Sequence, residues 1–147
     1  MDEQMKLKGH IVFKLFDENG NLKDEREVDN VIVTVGKTYL ATWLTAASQS
    51  GFFMQYLALG TGTNSASASD TTLQTELSTR VAGTLSSSTN VWQNQGTFGA
   101  GVNTGAITEA GIFSASSSGT MLARQAFAVI NKAAGDSLQL TWSLTLA

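Results

Sequence analysis

An enzyme needs a base, a nucleophile or a metal, and this chain has few residues to supply them. His10 is the only histidine and cysteine is absent. Thiolate nucleophiles, disulfides and Cys-ligated zinc are thereby excluded. His10 falls on the charged side of an alternating segment, where a solvated or partner-facing imidazole is expected. Gly36-Lys37-Thr38 resembles the end of a phosphate loop, but the glycine required five residues before the Gly-Lys pair is Val31. A helix start is expected there instead. Gly60-Thr61-Gly62 follows a strand-like run, yet position 65 is Ser where a dinucleotide fingerprint needs its third glycine. Serines abound without a Gly-x-Ser-x-Gly elbow. These features predict a protein that is not an enzyme and needs no metal or cofactor.

Glu109 and Arg124 are a different matter. Both are rare charges set in apolar surroundings, and a buried charge without a partner is costly. They are predicted to form an ion pair, either within one chain or between subunits. Trp92, with Asn90, Gln93, Asn94 and Gln95 nearby, offers an aromatic face and amides that would suit sugar stacking and hydrogen bonding.

The elements that would position these residues are mostly strands. In residues 6–16, Leu7, Ile11, Phe13 and Leu15 alternate with Lys6, Lys8, His10 and Lys14. Asp17–Asn21 supplies Asn-Gly turn chemistry, so Leu22–Val28 returns as the second arm of a hairpin. That arm contains Lys23-Asp24-Glu25-Arg26-Glu27, too charged for a central strand, and an edge or extended arm is expected. Val31–Val33 and Tyr56–Leu59 read as short buried strands. Between them Tyr39, Leu40, Trp43, Leu44 and Ala47 recur at helical spacing. Asp70 is placed to cap a short helix carrying Leu73 and Leu77, with Glu76 and Arg80 as an i,i+4 pair. Further strands are predicted over Val81–Ser86, Val91–Phe98, Ala106–Phe113, Thr120–Ile130 and Ser137–Leu146.

Two hairpin registers follow from this layout. Pairing Ile130 with Ser137 sets Phe127 against Leu140, Ala123 against Leu144 and Met121 against Leu146. Pairing Phe113 with Thr120 sets Glu109 opposite Arg124, on a face too apolar for solvent. A helix, a second sheet or another subunit must cover that face.

Charge divides the chain. Thirteen of its 21 charged residues lie in residues 1–30, with a net charge of -3, and the eight in residues 31–147 sum to zero. Average domains carry roughly 25% charged residues, so the body is unusually neutral and prone to association. Residues 1–30 are therefore read as a charged arm or hairpin, with Lys6, Lys8, His10, Lys14 and Arg26 as its contact residues. Residues 31–147 are read as a β-rich body that folds without that arm. The sequence pI of about 5.0 and only nine Lys and Arg disfavour nucleic acid. No apolar run is long enough to span a bilayer, and the acidic start Met1-Asp2-Glu3-Gln4 is unlike a secretory signal. No membrane partner is expected.

Several segments resemble small structural proteins of tailed bacteriophages. They are Ala58-Leu59-Gly60-Thr61-Gly62-Thr63, Asp70-Thr71-Thr72-Leu73, Glu76-Leu77 through Arg80-Val81, and Gly105 through Phe113. Gly119 through Arg124 and Gly135-Asp136-Ser137-Leu138 complete the set. The resemblance spans roughly residues 28–147 and is nearest to the siphovirus capsid decoration, or cement, proteins. It implies a mainly β, tulip- or sandwich-like single domain with one amphipathic helix and an extended N-terminal arm. It further implies a homotrimer on the outer surface of an expanded capsid, at three-fold and quasi-three-fold sites of the major capsid protein lattice. No catalytic residues come with it. The rival expectation is a tail, baseplate or fibre component that binds a host surface glycan through the Trp92 region.

Overall fold

The computed structural model describes residues 6–45 and 53–147. Nine antiparallel strands form one sheet that curls into a nearly closed, barrel-like body with one short helix. In chain order these are β1 (Leu7–Phe16), β2 (Leu22–Ile32), α1 (Thr34–Leu44), β3 (Tyr56–Gly60), β4 (Val81–Ala82) and β5 (Thr84–Ser88). They are followed by β6 (Val91–Phe98), β7 (Gly105–Phe113), β8 (Met121–Lys132) and β9 (Ser137–Leu146). The order across the sheet is β4-β3-β7-β8-β2-β1-β9-β6-β5.

The strand alternation seen in the sequence sets what faces inward. Ile11, Phe13 and Leu15 of β1 and Leu138, Leu140, Trp142 and Leu144 of β9 are buried together with Phe98, Ile107 and Ile112. Each such side chain contributes about 1.5–3 kcal/mol by leaving water. The turn between β1 and β2 forms as its residues dictate. Asp17 Oδ1 accepts from the backbone N–H groups of Asn19 and Asn21, both at 2.9 Å, and Gly20 takes a φ of 81°, where glycine is at home.

The place of that hairpin differs from expectation. It is neither an edge nor an arm, because β1 pairs with β9 from Leu7–Leu146 to Phe16–Ser137 and with β2 on its other side. The boundary drawn at residue 30 cuts through β2, and Val31–Ile32 finish that strand against Arg124 and Ala123 of β8. Only Val33 of the short strand expected there stands outside it, just before α1. The charges of β2 are accommodated by pleat: Glu25, Glu27 and Asp29 point outward, while Asp24, Arg26 and Val28 are half-buried.

A second correction concerns β8 and β9. They do not pair, since β9 has β1 on one side and β6 on the other, so the Phe127–Leu140 register does not exist. The β7–β8 hairpin does form, but irregular pairing places Gly111 opposite Arg124 and Glu109 opposite Ala126. The segment 70–80 is not helical. Its amides are claimed by side chains instead, as the Gln74 and Thr75 N–H groups donate to the Glu109 carboxylate at 3.2 and 3.1 Å.

The helix is placed where its periodicity predicts, although only Gly36 is buried, against the Leu122 backbone. Ala47, expected on the same face, and the acidic residues Asp2 and Glu3 lie outside the described residues. Closure of the body rests on one seam. Asn94 is fully buried and its Nδ2 donates to the carbonyls of Met54 and Gln55 at 3.0 and 3.1 Å. Beside it the Gly83 N–H donates to Gln55 at 2.8 Å. At the far end of the β1–β9 ladder, Lys6 and Ala147 exchange backbone hydrogen bonds of 2.7 and 2.8 Å.

Candidate functional site

The most polar part of the interior is built around Glu109 and Arg124, both fully buried. Arg124 Nη2 lies 2.9 Å from Glu109 Oε2, so the pair is intrachain. The two strands carry the residues to neighbouring pleats, and the segment after β3 folds over them as a lid. Arg124 Nη1 binds Asp70 at 2.9 Å, and Nη2 donates to the Asn64 side-chain oxygen at 2.6 Å. Gly62 is required within this lid, because a Cβ there would overlap the Glu109 carboxylate. The cover for the semi-apolar face is thus the chain's own 61–76 loop. Arg80 forms a companion cluster: it grips Glu76 at 2.7 and 3.0 Å and donates to the Ala115 and Ser118 carbonyls at 2.8 Å. Its guanidinium also sits 3.7 Å over the Phe113 ring. The Glu76–Arg80 pair therefore forms as expected, but on an irregular segment and not on a helix.

The segments 58–63, 70–81, 105–113 and 119–124 all contribute to these two clusters or to the strands beneath them. Their chemistry is architectural: two acid–base pairs clamp a long loop to a hairpin.

The remaining charges of the body are mostly committed as well. Asp136 accepts from Lys23 Nζ at 2.7 Å and from the Ala133 N–H at 2.8 Å. The Lys23 hydrogen bond is the first cause holding its carboxyl below the ordinary range. Lys132 is buried, donates to the Gly99 carbonyl at 2.8 Å, and has its ammonium pushed down by desolvation against the opposing pull of Asp136. Lys37 on α1 is the exception, exposed and without a side-chain partner among the described residues.

The proposed contact residues of the first strand do not form one set. Lys14 stands opposite Glu25 on the outer face. His10 Nδ1 is 2.9 Å from Asp29 Oδ1, with Glu27 at 3.9 Å. Arg26 is turned to the other side, where it pairs with Asp24 at 2.9 Å and donates to the Ala128 and Val129 carbonyls at 2.6 and 2.8 Å. It ties β2 to β8 where their backbone ladder has ended, so it is not a free contact. Lys6 and Lys8 stand at the rim of a groove.

That groove, about 1250 Å³, lies between α1 and the sheet at the Lys6–Ala147 end. Trp43 and Leu44 of α1, Phe53, Trp92, Leu144 and Leu146 are among its lining. Leu44, Phe53 and Leu146 are exposed by 77%, 54% and 38%, three of the five most exposed large apolar side chains among the described residues. Sequence periodicity gives α1 an apolar stripe, with Tyr39, Leu40, Trp43 and Leu44 on one side. Tyr39 and Leu40 pack against the core, while Trp43 and the exposed Leu44 continue the stripe along the wall of the groove.

The Trp92 constellation is not assembled. Trp92 faces the groove and Asn94 is buried in the seam, whereas Gln93 and Gln95 project from the opposite face of β6 by strand alternation. Gln95 instead bonds Thr141 at 2.9 Å. Among the described residues no group of three or more His, Asp or Glu is placed to hold a metal ion. No described helix is long and apolar enough to cross a membrane. No family model matches the chain, and comparisons with curated proteins and with solved structures find no match.

Proposed function

We propose that this chain is a structural virion protein that binds the outside of an expanded tailed-phage capsid and stabilises the head. In this reading it acts as a homotrimer at three-fold and quasi-three-fold sites, has a tulip-like body, and performs no catalysis. The observation that carries the reading is the convergence of the resembling segments on one interlocked unit. Residues 58–63, 70–81, 105–113 and 119–124 are scattered in sequence, yet they meet at the Glu109–Arg124 and Glu76–Arg80 pairs. That the resembling segments pack into one unit supports the reading. The neutral body supports the same reading, since its charges are largely neutralised internally and a large contact surface can form with little desolvation of ions.

Stabilisation would be mechanical. A protein that binds the expanded lattice better than its precursor shifts the shell toward the expanded state by mass action. The test is addition of the purified protein to expanded heads that lack it. Saturable binding, with a virion abundance near that of the major capsid protein, is the expected result. No binding, or only a few copies per virion, would overturn it.

A further inference from the structure

We propose that the groove between α1 and the sheet is the attachment site, and that it receives an apolar segment of the shell protein flanked by carboxylates. This inference rests on the head-attachment reading above. Three observations lead to it. First, the groove concentrates exposed apolar area: Leu44, Phe53 and Leu146 lie together there, and contiguous exposed apolar surface marks interaction sites. Second, its rim is cationic. Lys6, Lys8 and Lys37 line it, and their ammonium groups have no partner among the described residues, in a chain of net charge -3. Asp29, the one acidic residue there, is engaged by His10. Third, two lining residues hold buried donors without acceptors, Asn30 Nδ2 and Trp43 Nε1. The amide orientation of Asn30 is fixed, because its Oδ1 accepts from Trp142 Nε1 at 3.0 Å and indole nitrogen only donates.

Apolar walls, a lysine rim and orphan N–H groups together ask for an occupant that is greasy in the middle, acidic at its flanks and rich in carbonyl oxygens. A peptide segment has all three. The volume of about 1250 Å³ exceeds the roughly 300–1,000 Å³ of ordinary small-molecule sites, which favours a macromolecular segment over a metabolite.

The test compares wild type with Leu44→Asp, Lys37→Glu and, as an outer-face control, Lys14→Glu, for binding to expanded heads lacking the protein. Leu44 and Lys37 are exposed, so unchanged melting temperatures are expected and confirm folding. Leu44→Asp and Lys37→Glu should each weaken head binding at least about tenfold, while Lys14→Glu binds as wild type does. Groove variants that bind heads like wild type would overturn the inference and leave the head-attachment reading standing. Failure of wild type to bind heads would remove both. If Leu44→Asp abolishes only self-association, or only binding to vesicles of phosphatidylglycerol, the groove belongs to a second copy or to lipid, and the shell-segment assignment is wrong.

Discussion

Glu109 and Arg124 show what scarcity of charge makes legible. Two opposite charges set among apolar residues of one hairpin had to be satisfied, and their pairing could be expected from residue type alone. Their other partners could not, because Asn64, Asp70, Gln74 and Thr75 reach them only through the path of a loop. Glu109→Ala leaves Arg124 its Asp70 and Asn64 bonds but strands the Gln74 and Thr75 amides. Breaking a buried pair costs about 3–5 kcal/mol, so a fall in melting temperature of about 10 °C is expected. Lys8→Ala, an exposed control, should shift it little, and equal melting temperatures for Glu109→Ala and wild type would refute a coupled pair. Asp136 gives a pH signature. Its folded pKa lies below the ordinary value, so its contribution is complete above about pH 3.9. That contribution is lost as the pH falls through the depressed folded value. Asp136→Asn should therefore melt below wild type at pH 7, with the gap closing as both are taken to pH 3 and lower.

At the scale of elements, the first hairpin is the instructive case. Its charge density suggested an appendage, yet composition reports which face meets water and says little about a strand's rank in a sheet. β2 is charged because its outer side is solvated, and it is central because both of its backbone edges are used, by β1 along its length and by β8 at Val31 and Ile32. Arg26 extends the second union through two backbone carbonyls. Alternation, turn residues and strand limits were readable because they are local. Which strands became neighbours was not, and the adjacency of β8 and β9 in sequence was misleading. Removing residues 1–32 would expose the Leu138–Trp142–Leu144 face and delete two interior strands. The truncated chain is expected to lack a cooperative thermal transition and dispersed amide resonances. A well-folded truncated body would refute the central role of the hairpin.

For the whole molecule, a mainly β body with one helix follows from the spacing of apolar residues, but its closure does not. The seam depends on Asn94, an amide that invites a surface role until its strand is seen to turn it inward against Met54 and Gln55. The open groove was equally hidden, because an amphipathic helix looks the same in sequence whether its stripe meets a core or a cleft. The meeting of Lys6 with Ala147 carries a further consequence, for how the body bears load. A pull applied at residues 6 and 147 acts at one end of the β1–β9 ladder and peels its rungs in succession. A pull between the 17–21 turn and residue 147 acts along the strands and strains all the rungs at once. The molecule should therefore yield easily when tugged at residues 6 and 147 and resist strongly when anchored through that turn.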